Sequence, residues 1–347
     1  MLRHAVAVVV VSILCNPQES FGAFRARRAP SPKSKKSQAR ARRASPPVSF
    51  DPASINDASL QEPVGEKSQG AAVIRAQILL DRANFSVGEI DGAFGLNFRR
   101  AITGFQSSRG LPPGPQVDIP TWQKLNADTA SALVPYKITQ ADIDGPYAPL
   151  PEEMMEKAKL PSLGYASMLE ALGERFHVSP ALLKKINASS SFTKVDEEIM
   201  VPNVATTIPV KAGSVVVSKG DMTVTALDKD GKVIAQYPAT MGSEHDPLPL
   251  GTWKIRGVAK NPVFHYNPEL FWDADAKQAK AKIAAGPNNP VGTVWIDLSK
   301  EHYGIHGTPE PAGIGHTQSH GCIRLTNWDA EELAGLVTPG TSAILKE

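Results

Sequence analysis

The chain has 347 residues, 41% hydrophobic and 21% charged, with 37 Lys and Arg against 35 Asp and Glu. This is the composition of soluble globular proteins, and it excludes collagen-like, fibrous and wholly disordered chains. The near-neutral total hides an asymmetry, because residues 1–47 hold ten basic side chains and one acid, Glu19, leaving a net charge of −7 on 48–347. A nucleic-acid binder carries its basic residues on a folded face; here they sit on a tail, so no nucleic-acid partner is expected.

Residues 5–15 form an apolar run behind Met1, Leu2, Arg3 and His4. Such a run is too short to cross a bilayer and has the shape of the apolar core of a signal peptide. Ser20 and Gly22 supply small residues ahead of a cut, so 1–22 is expected to be removed and the protein exported. The periplasm is the preferred compartment, since neither a surface-anchoring motif nor a C-terminal apolar span is found. Cys15 and Cys322 are the two cysteines, so the mature chain keeps one thiol and no disulfide. Residues 23–65 read as a disordered linker rich in Pro, Ser and Ala, basic and free of acids from 24 to 47. Its expected contact is an anionic membrane or wall polymer.

Helical periodicity begins at 71–81, with Ile74 and Ile78 on one face, and returns at Phe98, Ile102 and Phe105. A glycine-flanked turn at 88–92 separates the two stretches, and Trp122 and Leu125 close a third. The ordered set Gln77, Leu80, Ile90-Asp91-Gly92, Phe94-Gly95, Ala101, Phe105-Gln106, Gly110-Leu111, Thr121-Trp122 and Leu125 resembles the helical peptidoglycan-binding domain of cell-wall enzymes. The resemblance is assigned to 66–128 and implies peptidoglycan glycan as a partner. Residues 112–116 depart from the family's Asp-Gly-type turn.

A second small segment spans 148–205. Its spacing predicts a helix over 167–176, then Ser179 and Pro180 as N-cap and first residue of another helix to Asn187, with Leu169, Leu172, Phe176, Leu182, Leu183 and Ile186 as the apolar stripe. The run from Leu172 through His177-Val178-Ser179 to Ile199-Met200-Val201-Pro202 resembles the second half of a LysM carbohydrate-binding module. A plain interdomain helical pair is the other reading.

From Ile208 the period becomes alternating, predicting strands at 214–218, 222–228, 232–238, 252–257, 291–298, 304–306 and 342–345. Asp230-Gly231 is a hairpin turn signal. A helix is expected over 328–336, capped by Asn327 or Thr326, and a short helical insertion over 274–285. The chain is therefore multidomain: a mostly-β, sandwich-like domain with short helices over 208–347 follows the two smaller segments.

The single mature thiol lies in His306-Gly307-Thr308…Ser319-His320-Gly321-Cys322-Ile323-Arg324-Leu325. Nucleophilic cysteine chemistry needs a thiolate, and an imidazole nearby supplies a base or an ion-pair partner. Gly321 lets the backbone approach a carbonyl closely, and successive amides at 321 and 322 suit an oxyanion. Ser-His-Gly-Cys-Ile-Arg-Leu, preceded by Ile305-His306-Gly307-Thr308, resembles the signature of the L,D-transpeptidases with the YkuD-type catalytic domain. Pro249-Leu250-Gly251-Thr252-Trp253, 286–292 and Gly340-Thr341 extend the match over the domain.

The resemblance implies Cys322 as nucleophile, His306 as general base, and the Gly321 and Cys322 amides as oxyanion donors, with His320 beside them. It implies Arg324 as the contact for a substrate carboxylate, and Ser319, Thr308 and Tyr303 as substrate-side residues. The implied reaction is acyl transfer on peptidoglycan stem peptides through a thioester. The acceptor would be the amine of a neighbouring stem, giving a 3→3 cross-link, an amine of a wall-anchored lipoprotein, or a free D-amino acid; water would make the enzyme an L,D-carboxypeptidase. No cofactor is implied. Two rivals remain: a zinc hydrolase using His302, His306, His316, His320 and Cys322, and a non-catalytic wall-binding protein.

Overall fold

The computed structural model describes residues 50–204, 208–275 and 277–347. The expected signal peptide, and the linker as far as residue 49, lie outside the described residues.

Four helices open the structure: α1 (Pro52–Asn56), α2 (Ala71–Arg82), α3 (Leu96–Ser108) and α4 (Ile119–Leu125). Asp51 and Asp118 cap α1 and α4 by accepting from the amides three residues on, each with proline following the cap. Ile74, Ile78, Phe98, Ile102, Phe105 and Trp122 are all at most 2% exposed and form the core that their spacing implied. Two buried glutamines hold the turns. Gln77 donates to Asp91 and accepts from the Gly92 amide, while Gln106 donates to Gln116 O and Thr121 Oγ1 and accepts from the Gly114 amide. The atypical 112–116 stretch is thus pinned from α3. The linker expected to run to residue 65 ends sooner, because Ile55 and Val64 are buried in this core and Val64 bridges Val117.

Next come β1 (Leu133–Lys137), α5 (Gln140–Asp144), α6 (Met154–Lys157), α7 (Met168–Arg175), α8 (Pro180–Ile186) and β2 (Glu198–Pro202). β1 and β2 pair antiparallel, and α7 and α8 pack beside them, a βααβ unit with an insertion after the first strand. The segment expected at 148–205 therefore begins earlier. Pro135 within β1 masked the strand, since proline removes a ladder donor and argues against strand assignment. Ser167 and Ser179 cap α7 and α8 as their sequence indicated. One apolar cluster runs through the first helices and this unit, joining Ile74 and Phe98 to Leu172, Leu183 and Val201.

The remaining strands are β3 (Ser214–Ser218), β4 (Thr223–Leu227), β5 (Val233–Pro238), β6 (Thr240–Met241), β7 (Gly251–Lys260), β8 (Phe264–Tyr266), β9 (Ala281–Ile283), β10 (Val294–Leu298), β11 (Gly304–His306), β12 (Ile323–Arg324) and β13 (Ser342–Lys346). A sheet of nine runs in the order β5-β4-β3-β13-β7-β10-β11-β12-β6, with β3–β13 and β11–β12 parallel. β7 is long enough to pair with β13 near its start and with β10 further on. α9 (Asn327–Leu336), capped by Thr326, packs on β10 and β11. β8 and β9 form a separate two-stranded ribbon. The helix expected over 274–285 is not there: Ile283 is fully buried, pairs with Phe264, and packs against Leu163, so tertiary contact overrides the alanine-rich composition.

The upstream parts are bonded to this sheet. Residues 84–86 pair with Gln236 along β5 and so cover an edge strand. Asn97 donates to Ile314 O, and Ser86 donates to the buried carboxyl of Asp329 on α9.

Candidate active site

Cys322 directly precedes β12, and His306 ends β11, where it pairs in register with Arg324. Both Cys322 and His306 line one cleft of about 620 Å³, together with Tyr303, Trp295, Arg324 and His320. Strand β8 contributes Phe264 and Tyr266, the connection from β8 to β9 contributes Phe271 and Asp273, and the start of α6 with the residues before it contributes Glu152, Glu153 and Met154.

His306 is 3% exposed. Its Nδ1 lies 2.7 Å from Gly307 O. A carbonyl only accepts, so Nδ1 carries the proton and Nε2 is left with the lone pair. The ring stacks on Trp295, its cross-strand partner on β10, at 5.4 Å and 16°. The backbone oxygen of His306 accepts from Leu325 N at 2.8 Å. Burial, and next the Arg324 guanidinium, push the imidazole down to about 3, against the Gly307 bond.

Cys322 is half-buried, with Sγ 3.7 Å from His302 O. Burial pushes the thiol up, and Asp246 adds to this, while a backbone bond at Gly304 and the Arg324 charge act in the other direction. Both shifts favour neutral partners. They favour a thiol and an unprotonated imidazole over a thiolate–imidazolium ion pair.

Gly321 has φ of +92°, and a Cβ there would meet the Tyr303 ring at 2.8 Å. Only glycine satisfies both the left-handed backbone and the contact. Arg324 reaches the cleft with Nε buried and unbonded within the protein, and among the described residues it forms no salt bridge. His320 Nε2 donates to Asp273 Oδ1 at 2.8 Å, and the ring packs on Phe271 and Trp272. It therefore ties the Cys322 loop to the ribbon side of the cleft.

Ser319 and Thr308 do not reach the cleft. Ser319 is 3% exposed, accepts from Gly242 N and donates to Cys322 O, so its hydroxyl is consumed in holding the loop. Thr308 is 6% exposed and accepts from Glu310 N. Trp328 stacks on His177 at the domain boundary, and His316 is exposed beside Asn97. Among the described residues, no three His, Cys, Asp or Glu side chains converge as a metal-binding group. Sequence reasoning missed Asp246, Asp273 and Trp295. Trp295 was accessible in principle, since antiparallel pairing of the neighbouring strands at 291–298 and 304–306 sets facing side chains within contact distance.

The profile of the L,D-transpeptidase catalytic domain matches residues 212–345, and that of a putative peptidoglycan binding domain matches 69–125. The chain is 32% identical over 176 residues to the putative L,D-transpeptidase YkuD of Bacillus subtilis, covering 50% of this chain and 90% of that protein. The chain belongs to the L,D-transpeptidase family. It is also 25% identical over 182 residues to the probable L,D-transpeptidase YbiS of Escherichia coli, covering 52% of this chain and 55% of the relative. An L,D-transpeptidase structure from Xylanimonas cellulosilytica aligns with 81% of this chain and 96% of its own, at 15% identity and a TM-score of 0.35. As a member of this family carrying a peptidoglycan-binding region, the chain is an L,D-transpeptidase that faces the cell wall. No helix of the described residues is long and apolar enough to cross a membrane.

Proposed function

We propose that Cys322 attacks the L,D peptide bond after the third residue of a peptidoglycan tetrapeptide stem. The thiol proton passes to His306 Nε2 as the sulfur–carbon bond forms, which avoids a free thiolate at a site that disfavours one. The Gly321 and Cys322 amides hold the oxyanion. Collapse breaks the amide bond; the imidazolium returns its proton to the leaving nitrogen, D-alanine departs, and a thioester on Cys322 remains. An acceptor amine then attacks, His306 takes its proton, and the thiol is released with the new amide. Arg324 receives the substrate carboxylate through its planar fork.

The observation that carries this reading is the pairing, in one cleft, of a half-buried cysteine with a histidine whose Nδ1–H is fixed by Gly307 O and whose free Nε2 is unprotonated at neutral pH. An amine acceptor is favoured over water by the acidic wall of the cleft, to which Glu152, Glu153, Asp273 and Asp275 contribute. Carboxylates there attract an ammonium-bearing side chain. Residues 69–125, together with the βααβ unit, hold the enzyme on glycan.

The test is incubation with a purified disaccharide tetrapeptide, following D-alanine release and product mass. Dimer formation with stoichiometric D-alanine is expected, and none with Cys322→Ala. D-alanine release by the Cys322→Ala protein would exclude the thiol mechanism, and release without dimer would make the enzyme a carboxypeptidase.

A further inference from the structure

Glu174 sits on α7, outside the catalytic domain, yet both of its oxygens face that domain. Asn327 Nδ2 donates to Oε1 at 2.8 Å and to Oε2 at 3.0 Å, and Tyr165 OH donates to Oε2 at 3.3 Å. Among the described residues no cation pairs with it, and the other charges acting on it, Glu170 and Glu331, are acids. A buried carboxyl without a cation is costly. Burial holds Glu174 up to about 8, so at neutral pH it is a neutral acid serving as a hydrogen-bond partner.

Asn327 is 2% exposed and fully engaged. Besides Glu174, its Nδ2 donates to Pro287 O at 3.1 Å, and its Oδ1 accepts from Thr293 N at 3.2 Å. The same oxygen is wedged against Gly292 and Gly307, where a Cβ on either glycine would collide with it. Gly307 is the residue whose carbonyl holds the Nδ1 proton of His306. A continuous line of contacts therefore runs from α7 to the imidazole: the carboxyl fixes the amide, the amide fixes the glycine peptide, and the peptide fixes the tautomer. The α9 helix start does not need Glu174, since Thr326 caps it independently.

We propose that Glu174 is a positioning residue for His306, acting across the domain boundary through Asn327 and the Gly307 peptide. This rests on His306 being the base of the reaction proposed above. Without the carboxyl, Asn327 loses an acceptor and keeps only Pro287 O and Thr293 N to fix its amide, which loosens its packing on Gly307 and with it the hold of the Gly307 carbonyl on Nδ1.

Three variants of the full chain test it: Glu174→Ala, Glu174→Met, which fills the space without an acceptor, and Glu174→Gln, which keeps one acceptor and one donor as the neutral acid does. The first readout is the histidine ring ¹H–¹⁵N spectrum, with the His306 signal assigned from His306→Gln. Wild type and Glu174→Gln are expected to show the proton on Nδ1 alone, whereas Ala and Met show it shared with Nε2. The second readout is the rate of Cys322 acylation by a carbapenem, measured by intact mass. It is expected to fall at least about tenfold in Ala and Met, as misplacement of a catalytic group does, and to recover in Gln. A wild-type tautomer in the Ala and Met variants would overturn the proposal whatever their rate, because a slow enzyme with an intact tautomer is only a destabilised one. Loss of folding in both, or a Gln variant as slow as Ala, would also overturn it. The tautomer is read without turnover, so an inactive wild type would count against the proposed reaction and leave this test standing.

Discussion

Asp329→Asn should remove the contribution of one buried carboxyl to the protein's loss of stability between pH 5 and 7. Asp329 is 3% exposed on α9 and accepts from Ser86 Oγ of the helical region at 3.0 Å. Burial, and next Asp81, push its carboxyl to about 8 from an ordinary 3.8, while His177, Thr326 and Ser86 oppose the shift. The folded-state value lies above the unfolded one. The stabilising protonated form is therefore fully available below about 4, and its contribution is lost as the pH rises towards 8. In that window the folded state binds about one proton more than the unfolded chain, so stability falls by about 1.4 kcal/mol per pH unit, or ~3 kcal/mol from pH 5 to 7. At about 2 °C per kcal/mol for a chain of this size, that is roughly 6 °C in Tm. Asparagine copies the neutral acid: its oxygen still accepts from Ser86, and it does not titrate. Calorimetric melts of wild type and Asp329→Asn at pH 5 and pH 7 give the comparison. Wild type should lose roughly 6 °C more than the variant. Parallel losses would show that Asp329 is ionised in the fold and that the account of this interface is wrong.

Gly321→Ala forces a Cβ into a left-handed position against the Tyr303 ring, which should cost about 1–3 kcal/mol of stability and slow carbapenem acylation; an unchanged rate would show that the turn is not needed in that form. Arg324→Lys keeps the charge and loses the fork, so KM for a tetrapeptide substrate should rise well before kcat falls, and a pure kcat effect would contradict a carboxylate contact. Because His306 is held down to about 3 and the Cys322 thiol is held up, acylation should be nearly flat from pH 5 to 7.5. A tenfold fall per unit below pH 6.5 would instead indicate a base with an ordinary imidazole value.

Much of this fold was legible because its signals are local. Ser179 and Pro180 announce α8, alternation announces β3 and β10, and the Ser-His-Gly-Cys-Ile-Arg run announces the proposed nucleophile. What escaped depends on partners distant in sequence. β6 and β12 have two residues each, too few for a period, and exist because β11 and each other complete them. β9 reads as helix until Phe264 is placed beside Ile283. At the site, Cys322, His306, Tyr303 and Arg324 line one cleft, whereas Ser319 and Thr308 turn inward to hold loops. A hydroxyl's partner cannot be read from its neighbours in the chain. The acidic wall was equally hidden, since Glu152 and Glu153 come from the insertion ahead of α7 and meet Asp273 and Asp275 only in three dimensions.

The central claim is that Cys322 is a nucleophile armed by His306. Intact-protein mass after exposure to a carbapenem, on wild type, Cys322→Ala and His306→Gln, with a chelator control, tests it most directly. The account predicts a single covalent adduct on wild type with or without chelator, none on Cys322→Ala, and strongly slowed formation on His306→Gln. A folded wild type that forms no adduct, or an adduct that survives loss of Cys322, would contradict it.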